Sequence, residues 1–267
     1  MASTVMIPEG TYALGQITIG GPCKAPINFI VQGTMKAPVD TSRFKAEAGW
    51  IAFQQIDQFT LFGGGVFYGQ GKTVWGRKSP RSAYCNQLPI IDGNHIGRSS
   101  GINITDSTIE TGDDCVSIGN GSEQINIQSI TCGPEHGISM GSLGKYSNEE
   151  PVVGISVKNC TFTNTQNGVR VKTWPASHQG TAFEMHFEDI AMNNVGNPII
   201  IDQEYCPHNQ CNLKVAVKLV CSQEVPCQDV ELGDINLKYN GSEGPTMSQC
   251  KNIKPNLLGT QLPRTCA

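Results

Sequence analysis

The sequence predicts an all-β fold, a right-handed single-stranded parallel β-helix, and three observations carry that expectation. Apolar residues come in short alternating triplets, the helical period is almost absent, and 30 glycines are spread along 267 residues. The triplets also recur in a fixed order. Repetition of several strands at such an interval marks a solenoid, whose coils bury their inward residues against one another.

Toward the N-terminus, Ile27 to Val31 and Phe59-Thr60-Leu61 read as strands, with Gly63-Gly64-Gly65 and Gly69-Gln70-Gly71 as tight corners. From Gly101 the order becomes regular: Ile102-Asn103-Ile104, Thr108-Ile109, then Val116-Ser117-Ile118. The next unit repeats it as Ile125-Asn126-Ile127, Ile130 and Ile138-Ser139-Met140. Ile155-Ser156-Val157, Phe162 and Val169-Arg170-Val171 follow, and after them Met185-His186-Phe187, Ile190 and Ile199-Ile200-Ile201. Val230-Glu231-Leu232 and Ile235-Asn236-Leu237 open a further unit. The step from Val116 to Ile138 is 22 residues and later steps are 31 and 30, as if loops were inserted into a fixed coil of three short strands. No Pro/Ser-rich linker or charge run divides the chain, so one domain over residues 1–267 is expected.

A net charge of -4 and a pI near 5.7 argue against a nucleic-acid partner, which needs a basic face to displace counterions. No run of 18 or more apolar residues is present, so no membrane-spanning helix is expected. Eleven cysteines, none in the paired spacing of a zinc site, predict disulfides in an oxidising, secreted setting and no structural metal. Sequons at Asn103, Asn120, Asn159 and Asn240 suit that setting. Met1 to Thr4 nevertheless lead straight into a strand-like segment without an apolar signal-peptide core, so a removed leader or a truncated chain is expected. A monomer is the expected state, as is common for solenoids with covered ends, whereas an uncovered end would expose strand edges that invite association.

Aligning the units on their last strand puts ionisable residues in columns. Asp92 lies two positions before Asn94, Asp114 two before Val116 and His136 two before Ile138, both intervals being 22 residues. If each unit is one coil, the three side chains form a ladder with neighbours about 4.8 Å apart. Asp113 stands beside it. Arg170 and Lys172 occupy alternate positions facing away from Val169 and Val171, and so flank the acidic group. A single Asp before a strand more often caps a turn, a lone His more often serves structure, and a basic pair is often a solvated face. The combination differs, because stacked carboxylates repel unless they serve a purpose.

These residues resemble the polygalacturonases, glycoside hydrolases that cleave pectin, and among them the pollen-type plant exopolygalacturonases. The likeness rests on Thr111-Gly112-Asp113-Asp114-Cys115, Glu135-His136-Gly137, Asn167-Gly168-Val169-Arg170-Val171-Lys172 and Asp202-Gln203-Glu204-Tyr205-Cys206. It implies that Asp113 is the general acid, that Asp92 and Asp114 activate the attacking water, and that His136 supports the protonation of the cluster. Arg170 and Lys172 would bind the substrate carboxylate, and Tyr205 would line the same subsite. The implied reaction is inverting hydrolysis of α-1,4-galacturonosidic bonds in polygalacturonate, which needs carboxylates about 6.5 to 9.5 Å apart to admit a water. No cofactor is implied, and the implied location is the cell wall.

The chain departs from the family in three places. The family's Asn-Thr-Asp-Gly reads Ile90-Ile91-Asp92-Gly93, and Cys85 to Ile90 resembles a stretch the family places roughly two coils earlier, so an internal segment is expected to be missing. The family's Gly-His-Gly reads Glu135-His136-Gly137, and Asn94 takes an inward apolar position. Two rivals to an active hydrolase follow: an impaired, truncated paralogue that binds pectin or does nothing, and a calcium-dependent pectate lyase on a similar solenoid. The disulfides expected are Cys115 with Cys132, across adjacent coils, and the local pairs Cys221–Cys227 and Cys250–Cys266.

Overall fold

The computed structural model describes residues 1–40, 44–45, 49–70, 92–134, 136–174, 177–205, 215–238 and 247–266. The corner at Gly71, the phrase Cys85 to Ile90, Glu135, Cys206 and the sequon at Asn240 lie outside the described residues. Two long walls of parallel strands run along the chain. The first stacks Ser3–Ile7, Ile27–Val31, Asp57–Phe62, Ser100–Glu110, Glu123–Cys132, Val152–Thr163 and Ala182–Asn193 in that order. The second stacks Ile17–Gly20, Ile51–Gln54, Asn94–Gly97, Val116–Ile118, Ile138–Leu143, Asn167–Thr173, Asn197–Asp202, Val217–Val220 and Ser248–Lys251. The chain visits the walls in turn and every neighbour is parallel, so each visit closes one coil of a parallel β-helix.

The register follows the sequence interval. Val116 pairs with Asn94 on one side and Ile138 on the other, Ile138 pairs with Val169, and Val169 with Ile199. Alternation within each triplet turns its outer two residues inward, where Ile102, Ile104, Val116, Ile118, Ile125, Ile127, Ile138 and Met140 are fully buried. Burying an aliphatic side chain of this size stabilises by about 1.5 to 3 kcal/mol, so a slip of one residue would expose a whole column. The walls are continuous on either side of residues 71–91: Ile51 pairs with Asn94, and Phe59 pairs with Ile102.

Two elements differ from the expectation. In the first coils the three strands stay separate, with Thr11–Ala13, Thr34–Lys36 and Val66–Tyr68 stacked in line with Thr108 to Glu110. From Ser100 onward the first two fuse into single strands of 10 to 12 residues. A stacked column of left-handed residues, Asp106, Ser129, Asn159 and Asp189, bends each fused strand at the corner. Asp and Asn tolerate that conformation, and one such residue turns the chain without ending the pairing. At the other end, Glu231–Asn236 pairs with Asn256–Leu262 in a separate two-stranded sheet instead of extending the first wall.

The three expected disulfides are present, with Cα separations of 5.9 Å for Cys115–Cys132, 5.8 Å for Cys221–Cys227 and 5.6 Å for Cys250–Cys266. The first ties the segment carrying Asp113 and Asp114 to the end of the neighbouring strand Glu123–Cys132. Asn94 takes the inward position the sequence assigned it. It is fully buried, and both its amide atoms lack a hydrogen-bond partner among the described residues.

Candidate active site

The corner leading into the second wall brings the expected acids together. Asp92 and Asp114 precede paired strands, the Gly93 N–H donates to the Asp114 carbonyl at 2.8 Å, and the His136 N–H donates to the Asp113 carbonyl at 2.9 Å. The ladder read from the 22-residue interval therefore exists, with Asp92, Asp114 and His136 on successive coils. Gly93 has to be glycine here, since a Cβ would lie 2.7 Å from the Cys115 carbonyl oxygen.

Asp113 and Asp114 sit side by side in different surroundings. Asp113 remains partly exposed, and its Oδ1 lies 2.6 Å from His136 Nδ1. Asp114 has only 2% of its side chain exposed and is enclosed by cations: Arg170 Nη2 donates to Oδ1 at 2.8 Å and Lys172 Nζ to Oδ2 at 3.0 Å. Ser139 adds a third donor to Oδ1 at 2.8 Å and accepts from Arg170 Nε at 2.9 Å. Burial alone would raise the Asp114 pKa, but the charges of Arg170 and Lys172 outweigh it and hold the carboxyl well below the usual carboxylate range. Arg170 and Lys172, expected at a substrate carboxylate, thus each spend a donor on this acid.

Asp92 experiences the opposite field. Its Oδ1 accepts the Asp114 backbone N–H at 3.3 Å, and its Oδ2 accepts the Ser117 hydroxyl at 2.6 Å. Burial pushes its pKa up; hydrogen bonding from the His95 side opposes this, and the charges of Asp114 and Asp113 add to the rise. The balance is a raised pKa. His95 Nδ1 lies 2.7 Å from Ser117 Oγ. Since the single Ser117 proton is donated to Asp92, the hydroxyl accepts from His95, which places a hydrogen on that Nδ1.

Tyr205 arrives from the turn after Asn197–Asp202. Its N–H donates to the Thr173 carbonyl at 3.2 Å, and its ring faces Lys172 Nζ at 5.3 Å and the Arg170 guanidinium at 5.7 Å. Such contacts are favourable cation–π geometry. Ion pairing of Asp202 with Lys218 at 2.5 Å steadies the turn that presents it. All seven expected site residues therefore border one locus. Sequence reasoning overlooked His95, Ser117 and Ser139. Their signal was present: they are the middle residues of successive triplets, and with Arg170 they pair in register as one outward column.

Asp113, Asp114 and His136 offer ligand atoms within 4.8 Å of one another, a spacing that would suit a metal. Arg170 and Lys172 already pair with both oxygens of Asp114, so the donor set fits a proton-transfer cluster better than a cation site.

Comparison with known proteins decides the family. The family model described as glycosyl hydrolases family 28 matches residues 1–91 and 89–262. The chain belongs to family 28 of the glycosyl hydrolases. An exopolygalacturonase of Oenothera organensis is 46% identical over 337 residues, covering 99% of this chain and 93% of the relative. A polygalacturonase of Nicotiana tabacum is 42% identical, covering 99% of this chain and 84% of the relative. Among solved structures, the endo-xylogalacturonan hydrolase of Aspergillus tubingensis superposes with a TM-score of 0.56 at 19% identity, covering 99% of this chain and 88% of that one, and supports the shared fold. An alignment of 337 residues against a family 28 chain of 267 leaves at least 70 positions of the Oenothera relative without a counterpart here. The two blocks of the family match meet at residues 89–91, next to Asp92, where the sequence placed a missing segment.

Proposed function

We propose that this family 28 hydrolase cleaves α-1,4-galacturonosidic bonds of polygalacturonate by a single inverting displacement, releasing units from a chain end. The observation that carries the reading is the opposite electrostatic setting of two stacked carboxylates, Asp92 raised and Asp114 lowered. Environments that drive pKa values apart divide the work of two neighbouring carboxylates, here the proton acceptor and the fixed charge on the water side. Asp113, partly exposed and hydrogen-bonded to His136, protonates the leaving oxygen. Asp114 is too weak a base to take a proton but fixes the attacking water by its charge and its cation partners. Asp92, with the greater proton affinity, takes the proton as the water attacks. Arg170 and Lys172 present their remaining donors, with the Tyr205 ring, to the carboxylate of the sugar. Every role falls to a side chain, so the reaction proposed requires no metal.

A polyanionic substrate is consistent with a chain of net charge -4 because Arg170 and Lys172 supply local positive charge where the sugar carboxylate would bind. The three disulfides among the described residues favour a secreted protein, with the plant cell wall as the site of action, working as a monomer. The test is release of reducing ends from polygalacturonate by the purified chain, with Asp113→Asn as control. Monomer as first product supports end-wise action, and oligomers of mixed length rule it out. No release above the control overturns the hydrolase reading.

A second reading, an impaired paralogue that binds pectin without efficient turnover, is favoured by the 70 or more positions of the Oenothera relative that lack a counterpart and by the break in the family match next to Asp92. Loss of whole coils removes one wall of a substrate groove, and misplacement by about 1 Å can cost on the order of 100-fold in rate. It is distinguished by tight oligogalacturonate binding with turnover far below a full-length relative assayed alongside. An unsaturated, ultraviolet-absorbing product that requires calcium would instead identify a lyase.

A further inference from the structure

A strip of cations and aromatic rings leads outward from Asp114. Lys172, in contact with Asp114, faces the Tyr205 ring, and Tyr205 meets Trp174 edge-on with ring centroids 6.3 Å apart. Lys145 Nζ then lies 6.0 Å from the Trp174 ring and 5.2 Å from that of Tyr146. At the outer end, Tyr146 keeps 61% of its surface in solvent, so its ring is open to a ligand.

The loop that presents Lys145 and Tyr146 is built to hold its shape. Glu149 accepts the Gly144 N–H at 2.7 Å with one carboxylate oxygen and the Tyr146 N–H at 3.0 Å with the other. From the neighbouring coil, the Trp174 N–H donates to the Leu143 carbonyl at 2.9 Å, and the His178 N–H donates to the Gly144 carbonyl at 3.0 Å. Gly144 has a φ of +80°, and a Cβ there would lie 2.4 Å from the Ser177 Cβ. The pair of segments can close together only with glycine at that point. An ammonium group flanked by two rings on a braced loop offers both things an anionic sugar needs. A ring face takes the apolar C–H side of the pyranose, and a charge meets its carboxylate.

We propose that Lys145, Tyr146 and Trp174 form a further subsite for a galacturonate unit, beyond the unit held at Tyr205, Arg170 and Lys172. The inference rests on the galacturonate reading of the catalytic locus. It makes affinity depend on chain length, since a dimer is satisfied by the inner positions and longer oligomers reach the outer one. Glu149 acts as a positioning residue, holding the loop without touching the sugar.

Binding is measured by calorimetry in an Asp113→Asn background, with digalacturonate, tetragalacturonate and fully methyl-esterified tetragalacturonate as probes. Lys145→Ala and Tyr146→Ala each weaken tetragalacturonate binding by about threefold to fivefold, the scale of one exposed ion pair or cation–π contact. Digalacturonate binding stays unchanged. Lys145→Ala leaves the methyl ester unaffected, and Lys145→Arg retains affinity for the acid. Equal loss for dimer and tetramer, or no loss for either, overturns the subsite while leaving the catalytic reading standing. A parent that binds neither acidic oligomer overturns both.

Discussion

Lys172 Nζ lies 3.0 Å from Asp114 Oδ2, on the opposite oxygen from the one that Arg170 occupies, so the most buried acid of the site carries one cation on each oxygen. Removing either cation leaves a charge buried with half its compensation. Lys172→Met is expected to destabilise the fold by about 3 kcal/mol, typical of breaking a buried pair from one side, as read from the denaturant midpoint. Lys172→Met combined with Asp114→Asn should recover part of that loss, because the uncompensated charge is gone. A double variant no more stable than the single would contradict this account.

The same pair sets a pH dependence. A carboxyl whose folded pKa is depressed contributes stability that is fully present above its unfolded pKa of about 3.9 and is lost as pH falls toward its folded value. Asp114 is such a group, so wild-type stability should drop on acidification below about pH 4, and the drop should shrink in Asp114→Asn. Thermal melts at a series of pH values check it.

Asp92 carries the opposite sign. Its raised pKa means that the folded chain binds its proton more tightly than the unfolded one, so ionising it costs stability as pH rises from its unfolded value through its folded one. Asp92→Asn should therefore raise the melting temperature by about 2 °C at pH 7 while abolishing turnover. A melting temperature that falls would show that the carboxylate is needed to hold Ser117 and the Asp114 N–H in place.

Asn94 interrupts an inward column between Ile51 and Val116, with its amide unpaired among the described residues. Asn94→Val suits the strand and removes the desolvated amide, so it should stabilise by about 1 to 2 kcal/mol in denaturant unfolding. Activity should not fall, since the side chain points into the core and away from Asp92.

The Cys115–Cys132 bridge closes a segment of 17 residues beside Asp114. Replacing both cysteines with serine should cost about 3 kcal/mol, by release of conformational entropy in the unfolded chain. It should also lower turnover, because Asp113 and Asp114 lose their tether to the adjacent coil. Peptide mapping that finds Cys115 unpaired in the wild type would remove the basis of this expectation.

The solenoid is legible in the primary chain, because inward and outward faces alternate along each triplet and the interval between triplets is the coil. That interval also sets the acid ladder: two steps of 22 residues put Asp92, Asp114 and His136 in line. What each acid became depends on how the coils stack. Asp113 and Asp114 are neighbours in sequence, yet one is paired to a histidine near solvent and the other is buried between Arg170 and Lys172, two coils further on. The fused strands bent at Asp106, Ser129, Asn159 and Asp189, and the separate sheet of Glu231–Asn236 with Asn256–Leu262, were likewise settled by stacking. The physical reason is that a triplet fixes which way a side chain points, whereas its charge state and partners depend on which coils lie above and below it.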